Sequence, residues 1–287
     1  MAMFGPNVIT SEGDDWQRHR KIVAPLLNER ISKTVWEESS RQANDMLQSF
    51  TAARSANGQT DSSKRRSGDT DATIPGVRSI AINVLGSVAY GTEQPWRQES
   101  TEAAPPGYRL SYMDAILAVT ENLAPATFIP VKMLTSPVMP KSVQRIGFAV
   151  DEFPQHVKQL LKTERTSNHP SQGNLLSTLV TVSDAESRNT TSTSKSKLFL
   201  SESELAGNLF QFTVAGFDTT ANTMAYAITL LAIHPEWQDW ISEEIDAVVR
   251  NSPDMPYEEA YPALKRCLAL MVSDALRTST TNFDPKT

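Results

Sequence analysis

Phe212-Thr213-Val214-Ala215-Gly216-Phe217-Asp218-Thr219-Thr220 lies inside the longest helical pattern in the chain. Apolar residues recur at Leu205, Leu209, Phe212, Phe217, Ala221, Met224, Ile228 and Leu231, with Gly216 as a gap, close to the 3.6-residue period of a helix. Ser201 with Glu204 three residues on forms a capping-box pattern that predicts the start. Pro235 pushes His234 out of the helical region and predicts the stop. From Leu205 to Ile233 such a helix runs roughly 43 Å, long enough to cross a domain. It is not a membrane span, because Asp218, Thr219, Thr220, Asn222 and Thr223 interrupt its middle. That interruption is informative. Glycine in a helix interior costs about 1 kcal/mol relative to alanine, and Asp and Thr compete for the helix's own hydrogen bonds. Thr219 is placed to bond back to the Ala215 carbonyl and loosen the turn.

Two readings fit a weakened central helix. One is a small-residue notch where another helix crosses closely, with Asp218 and Thr219 solvated. The other comes from likeness. AGFDTT, within GNLFQFTVAGFDTTANT, resembles the central-helix motif of the haem-thiolate monooxygenases, the cytochrome P450 family. The resemblance implies that Ala215 and Gly216 open an oxygen-binding groove over the haem, and that the pair Asp218 and Thr219 helps deliver protons.

Bulk properties set bounds on the rest. At 287 residues the chain is long enough to bury a real core in one large or two small domains. A net charge of −6 argues against general affinity for nucleic acid or anionic membrane surfaces. Cys267, the one cysteine, excludes an intrachain disulfide and fits a reducing compartment. MAMFGPNVITSEG lacks the basic and apolar regions of a secretory signal, and no run of 18 apolar residues occurs. The chain as given is therefore expected in the cytoplasm. By resemblance, an intact relative is anchored to the endoplasmic reticulum membrane, facing the cytosol. His19, His156, His169 and His234 have no metal-ligand spacing, so no metal site is expected from them. No G-x-G-x-x-G, P-loop, G-x-S-x-G or internal repeat is present.

Near the start, Asp14 and Asp15 suit a helix N-terminus, and the basic residues after them lie before Pro25. Trp16 and Arg20 are four apart and share a face. Alone, that pattern reads as a short amphipathic helix with a solvated basic side, and His19 as a solvated surface histidine. FGPNVITSEGDDWQRHRKIVAPLLN, however, resembles the family's W-x-x-x-R helix. There the resemblance implies that Arg20 bonds a haem propionate and that the Trp16 N–H adds a second donor, since the guanidinium fork matches a carboxylate.

Further helices are predicted at 31–50, from Pro75 to Gly91, at 111–122, 142–165 and 175–182, from Pro235 onward, and at 264–277. Polar tracts at about 51–73 and 183–197 read as surface loops. Pro125, Pro130, Pro137 and Pro140 predict a loop between two helices, by resemblance a roof over a substrate cavity. Strands are nearly absent, so the fold class is all-α; by resemblance it is a partial P450 fold over 1–287, with most β segments and the cysteine loop missing. Asp274 and Arg277 meet on one helix face, as an ordinary surface pair or, by resemblance, as the family's E-x-x-R ion pair with aspartate in place of glutamate.

The family's glycine-rich loop carrying the axial cysteine has no counterpart here, and Cys267 sits mid-helix among leucines, where a cysteine is usually a small core residue. The resemblance thus implies a piece of a b-type haem monooxygenase that inserts one oxygen atom from O2 into an apolar small-molecule substrate, with electrons from an NADPH-dependent reductase. Alone, the chain is expected to be inactive and poorly folded. The alternative is a non-catalytic helical ligand-binding or interaction protein derived from the same family.

Overall fold

In a computed structural model, residues 4–56, 73–96, 104–166, 173–189, 199–250 and 255–277 are described. They form α1 (Gly13–Val23), α2 (Glu29–Ala56), α3 (Thr73–Tyr90), α4 (Tyr112–Glu121), α5 (Leu123–Phe128), α6 (Val131–Leu134), α7 (Lys141–Thr166), α8 (Leu175–Asn189), α9 (Glu202–Ile233), α10 (Pro235–Val249), α11 (Tyr257–Ala263) and α12 (Lys265–Arg277). A 3-10 turn, Ala24–Leu26, follows α1, and no strand occurs among the described residues. The all-α expectation holds.

The long helix is α9. Its capping box forms in full, because the Ser201 side chain accepts from the Glu204 N–H and the Glu204 carboxylate accepts from Ser201 N at 2.7 Å. Its other end is His234, just before Pro235. Along its length α9 lies against α3, and α3 in turn lies against α2. On the opposite side α7 packs on α4 and α6 and touches α9 near its start. The main core sits between these layers. There Phe4 stacks on Phe210 at 4.1 Å, and Phe153 meets both rings edge-on. A smaller cluster of Ala81, Ile82, Met113, Phe217 and Ala221 seals α9 to α3 and α4. Among the described residues no helix is long and apolar enough to cross a membrane.

Four boundaries differ from the sequence expectation, the first being α2, which runs six residues past Phe50 into the tract expected to be a loop. The stretch around Pro125 and Pro130 is not bare loop but α5 and α6, because each proline occupies a helix beginning where its missing N–H is not needed. α8 continues seven residues past Val182, because Ser183 is buried and pairs with both the N–H and the carbonyl of Leu200. α11 was not foreseen; it is a seven-residue helix with Pro262 near its end. Gly91 does terminate α3, in the left-handed region at φ 69°, with its N–H on the Ser87 carbonyl. Most of the two polar tracts lies outside the described residues.

Candidate functional site

The weakened turn of α9 has the predicted internal bond. Thr219 Oγ1 donates to the Ala215 carbonyl at 2.6 Å, and Thr223 repeats the pattern on Thr219 at 2.8 Å. Ala215, Gly216 and Thr220 form part of the wall of an apolar cavity of about 700 Å³ between α2, α3 and α9. Ile31 and Met46 contribute from α2, and Ile80 and Val84 from α3. Gly216 leaves room beside α3, since a Cβ there would lie 3.3 Å from the tip of Leu85.

Asp218 leaves α9 on another side. Its Oδ1 accepts from Arg78 Nη1 at 3.2 Å, while Arg78 Nη2 reaches Glu121 Oε1 at 2.8 Å and the guanidinium lies 5.0 Å over the Phe217 ring. Asp218, Thr219 and Arg20 are not among the cavity's lining residues. Thr219 is exposed on the open face. The four residues read from the motif are thus divided: Ala215 and Gly216 on the cavity, Thr219 beside it and Asp218 in an ion pair with α3. Arg78 was missed. A signal existed, because it is the one charged residue in α3, and a charge in an apolar helix requires a counter-charge.

On α1 the outward and inward faces separate. Arg18 forks onto Glu204, with Nη1–Oε2 at 3.1 Å and Nη2–Oε1 at 2.5 Å, and also donates to the Phe199 carbonyl. His19 is wholly buried, which corrects the expectation of a solvated surface histidine. Both ring nitrogens have partners on α9: Nε2 lies 3.3 Å from Glu204 Oε1, and Nδ1 lies 3.0 Å from Asn208 Nδ2. Burial raises the Glu204 pKa, but the Arg18 fork and the Ser201 donors outweigh it, so the carboxyl falls to about 2. Trp16 and Arg20 face out, with the guanidinium 5.4 Å from the indole ring. Among the described residues neither the indole N–H nor the guanidinium meets a protein acceptor.

These two halves meet through the pitch of α9. Asn208, Ala215 and Thr219 are spaced seven and four apart and fall on one face. The side that α1 covers at Asn208 therefore continues, about 10 Å further along, as the exposed Ala215 and Thr219. A flat apolar ligand with acidic substituents fits this surroundings, with unused N–H donors at the α1 edge and small side chains along α9. The haem that the sequence resemblance implies has that chemistry, and these residues fit it. Cys267, half-buried in α12, is not among the residues that line the cavity. Burial and the nearby Glu244 carboxylate push its thiol pKa up. Asp274 and Arg277 lie in α12, and their side chains are outside the described residues.

Comparison with known proteins agrees with this geometry. The family model for cytochrome P450 matches residues 2–269. A phomenoic acid biosynthesis cluster cytochrome P450 monooxygenase of Leptosphaeria maculans is 32% identical over 95% of the chain and 46% of its own length. Cytochrome P450 monooxygenase 124 of Postia placenta is 28% identical over the whole chain and 51% of its own length. The chain thus spans about half the length of these curated relatives. Among solved structures, the heme domain of cytochrome P450DA superposes with a TM-score of 0.64 at 14% identity, over 96% of this chain and 52% of that one. A zebra fish cytochrome P450 with progesterone gives 0.61 at 17%, over 93% and 55%. By its matched residues and its helical fold, this chain belongs to the cytochrome P450 family.

Proposed function

We propose that these residues form the helical, haem-facing part of a b-type haem monooxygenase that places one oxygen atom from O2 on an apolar small-molecule substrate. Haem, when bound, supplies the dioxygen chemistry, with electrons from an NADPH-dependent reductase. The protein supplies position and protons. Arg20 and Trp16 hold the acidic edge of the ligand through the guanidinium and the indole N–H. Ala215 and Gly216 keep the central turn low enough for close approach. Thr219 Oγ1, its hydrogen engaged by the Ala215 carbonyl, offers its lone pairs to the open face and holds a donor there. Asp218, with its side chain 45% exposed, exchanges protons with solvent, and Arg78 fixes where it sits. The axial cysteine comes from residues outside this chain. The intact protein is anchored to the endoplasmic reticulum membrane.

The observation that carries this reading is that α1 joins α9 at Glu204 and Asn208 while Trp16 and Arg20 face out, on the face that leads along α9 to Ala215 and Thr219. Titrating haem into the chain and following the Soret band tests it. The expected result is saturable uptake that Arg20→Ala weakens about tenfold, the size of one charge-assisted bond. Identical uptake by Arg20→Ala overturns the assignment.

The second reading, a non-catalytic helical protein derived from the family that binds a small apolar ligand or a partner helix, is favoured by the apolar cavity. Cooperative unfolding without haem, together with no Soret band on haem addition, would select it. Under the first reading the chain alone is inactive.

A further inference from the structure

His19 joins α1 to α9 through a short, wholly buried side chain, and its hydrogen-bond partners dictate which ring nitrogen carries the hydrogen. Asn208, also wholly buried, uses Oδ1 to accept the Val8 N–H at 3.0 Å. That fixes its amide orientation, so Nδ2 points to the Glu204 carbonyl at 2.7 Å and to His19 Nδ1 at 3.0 Å. Two hydrogens meet two acceptors. Nδ1 must therefore be the unprotonated nitrogen, and Nε2, 3.3 Å from the Glu204 carboxylate, carries the hydrogen. An imidazolium would set an N–H against an N–H. Glu204 and the Arg18 guanidinium forked onto it are the charged groups that face the ring.

Rotation of α1 is what this link controls. Successive residues of a helix are 100° apart, so Trp16 and Arg20 lie about a quarter-turn round from His19. Arg18 also joins α9, but a long side chain accommodates rotation by changing rotamer. A short, fully buried ring held at both nitrogens does not. We propose that His19, as the neutral Nε2–H tautomer bridging Asn208 and Glu204, is the positioning residue that sets the rotation of α1 and aims Trp16 and Arg20 at the acidic edge of their ligand. This rests on the reading of Trp16 and Arg20 as donors to haem carboxylates.

Two measurements on the full chain test it. In the first, haem is titrated into the unsubstituted chain, His19→Leu, Arg20→Ala and the double variant, followed by the Soret band. His19→Leu should weaken binding about tenfold, as loss of the Arg20 bond does, and should add nothing in the Arg20→Ala background. If Arg20→Ala weakens binding and His19→Leu does not, or if the two losses add, the positioning role is overturned and the donor assignment survives. If Arg20→Ala has no effect, the donor assignment itself falls, and this role with it. The second measurement needs neither haem nor the leucine variant to fold. Nitrogen-15 spectra of the histidines should show His19 with one protonated nitrogen, Nε2. Asn208→Asp, which turns the facing donor into an acceptor, should convert it to a ring protonated at both nitrogens. An unchanged His19 spectrum in Asn208→Asp refutes the tautomer and the proposal.

Discussion

Replacing either of two glycines of α9 by alanine is expected to move stability in opposite directions. At Gly207 an added Cβ would stand 2.6 Å from the Gly5 carbonyl oxygen and closer still to that of Pro6, where ordinary contact begins at 3.4 Å. Backbone must therefore retreat by roughly 1 Å, against a helix gain of about 1 kcal/mol for Gly→Ala. The retreating segment carries Phe4, stacked on Phe210, and the Val8 N–H that Asn208 accepts. Overpacking of this kind costs about 1–3 kcal/mol, and the strained hydrogen bond about 1 more. Net destabilisation by Gly207→Ala should be about 1–3 kcal/mol. At Gly216 the nearest atom is the end of the Leu85 side chain at 3.3 Å, which yields by rotating. Gly216→Ala should then stabilise by roughly 0.5–1 kcal/mol. Urea unfolding followed by helical circular dichroism reads both. Midpoints that shift the same way, or a Gly207→Ala chain more stable than its parent, would refute the steric reasoning. Haem titration adds the functional half. If Gly216→Ala raises the midpoint and lowers haem uptake, the glycine serves what lies over α9 and not α9 itself.

Other outcomes follow from the same contacts. Arg18→Ala removes the fork on Glu204 and the donor to the Phe199 carbonyl, and should lower unfolding free energy by on the order of 2 kcal/mol, read from the denaturant midpoint. The Glu204 carboxyl titrates near 2 in the folded chain against 4.5 ordinarily, so its stabilising contribution is complete above about pH 4.5 and is lost as pH falls toward 2. Glu204→Gln should flatten the acid side of the stability–pH curve, and an unchanged curve would contradict the shift. Asp218→Asn opens a partly exposed ion pair and should cost less than about 1 kcal/mol in the same unfolding assay. Thr219→Val, on the exposed face, should stay within about 0.5 kcal/mol of the parent by thermal unfolding.

What was legible in the sequence was local. The capping box of Ser201 and Glu204, the stop at Pro235, the Thr219 bond to Ala215 and the end of α3 at Gly91 each depend on residues within four positions. Periodicity and turn chemistry register such relations directly. The unread parts depend on distant partners. The burial of His19 is invisible to local pattern because its two partners, Glu204 and Asn208, stand 185 and 189 positions away. Arg78 meets Asp218 across 140 positions, and Ser183 holds α8 in place through Leu200, beyond the stretch where the polar composition argued for a loop. α11 escaped notice because Pro256 and Pro262 bracket it in a way that reads as a break.

The two motifs acquire a common purpose through the start of α9 and not through its middle. Glu204 closes the capping box, accepts the Arg18 fork and faces His19, so one carboxylate both begins the longest helix and orients α1. Seven residues on from Asn208, the same face carries Ala215, and four further it carries Thr219, both exposed among the described residues. A helix selected for stability alone would place its weak residues where a neighbour compensates for them. Here glycine and threonine, which together lower helix propensity by more than about 1 kcal/mol, border an exposed face of α9. Stability has been given up on the side where the proposed ligand would lie, and the clamp at Glu204 ties α1 to the start of the same helix.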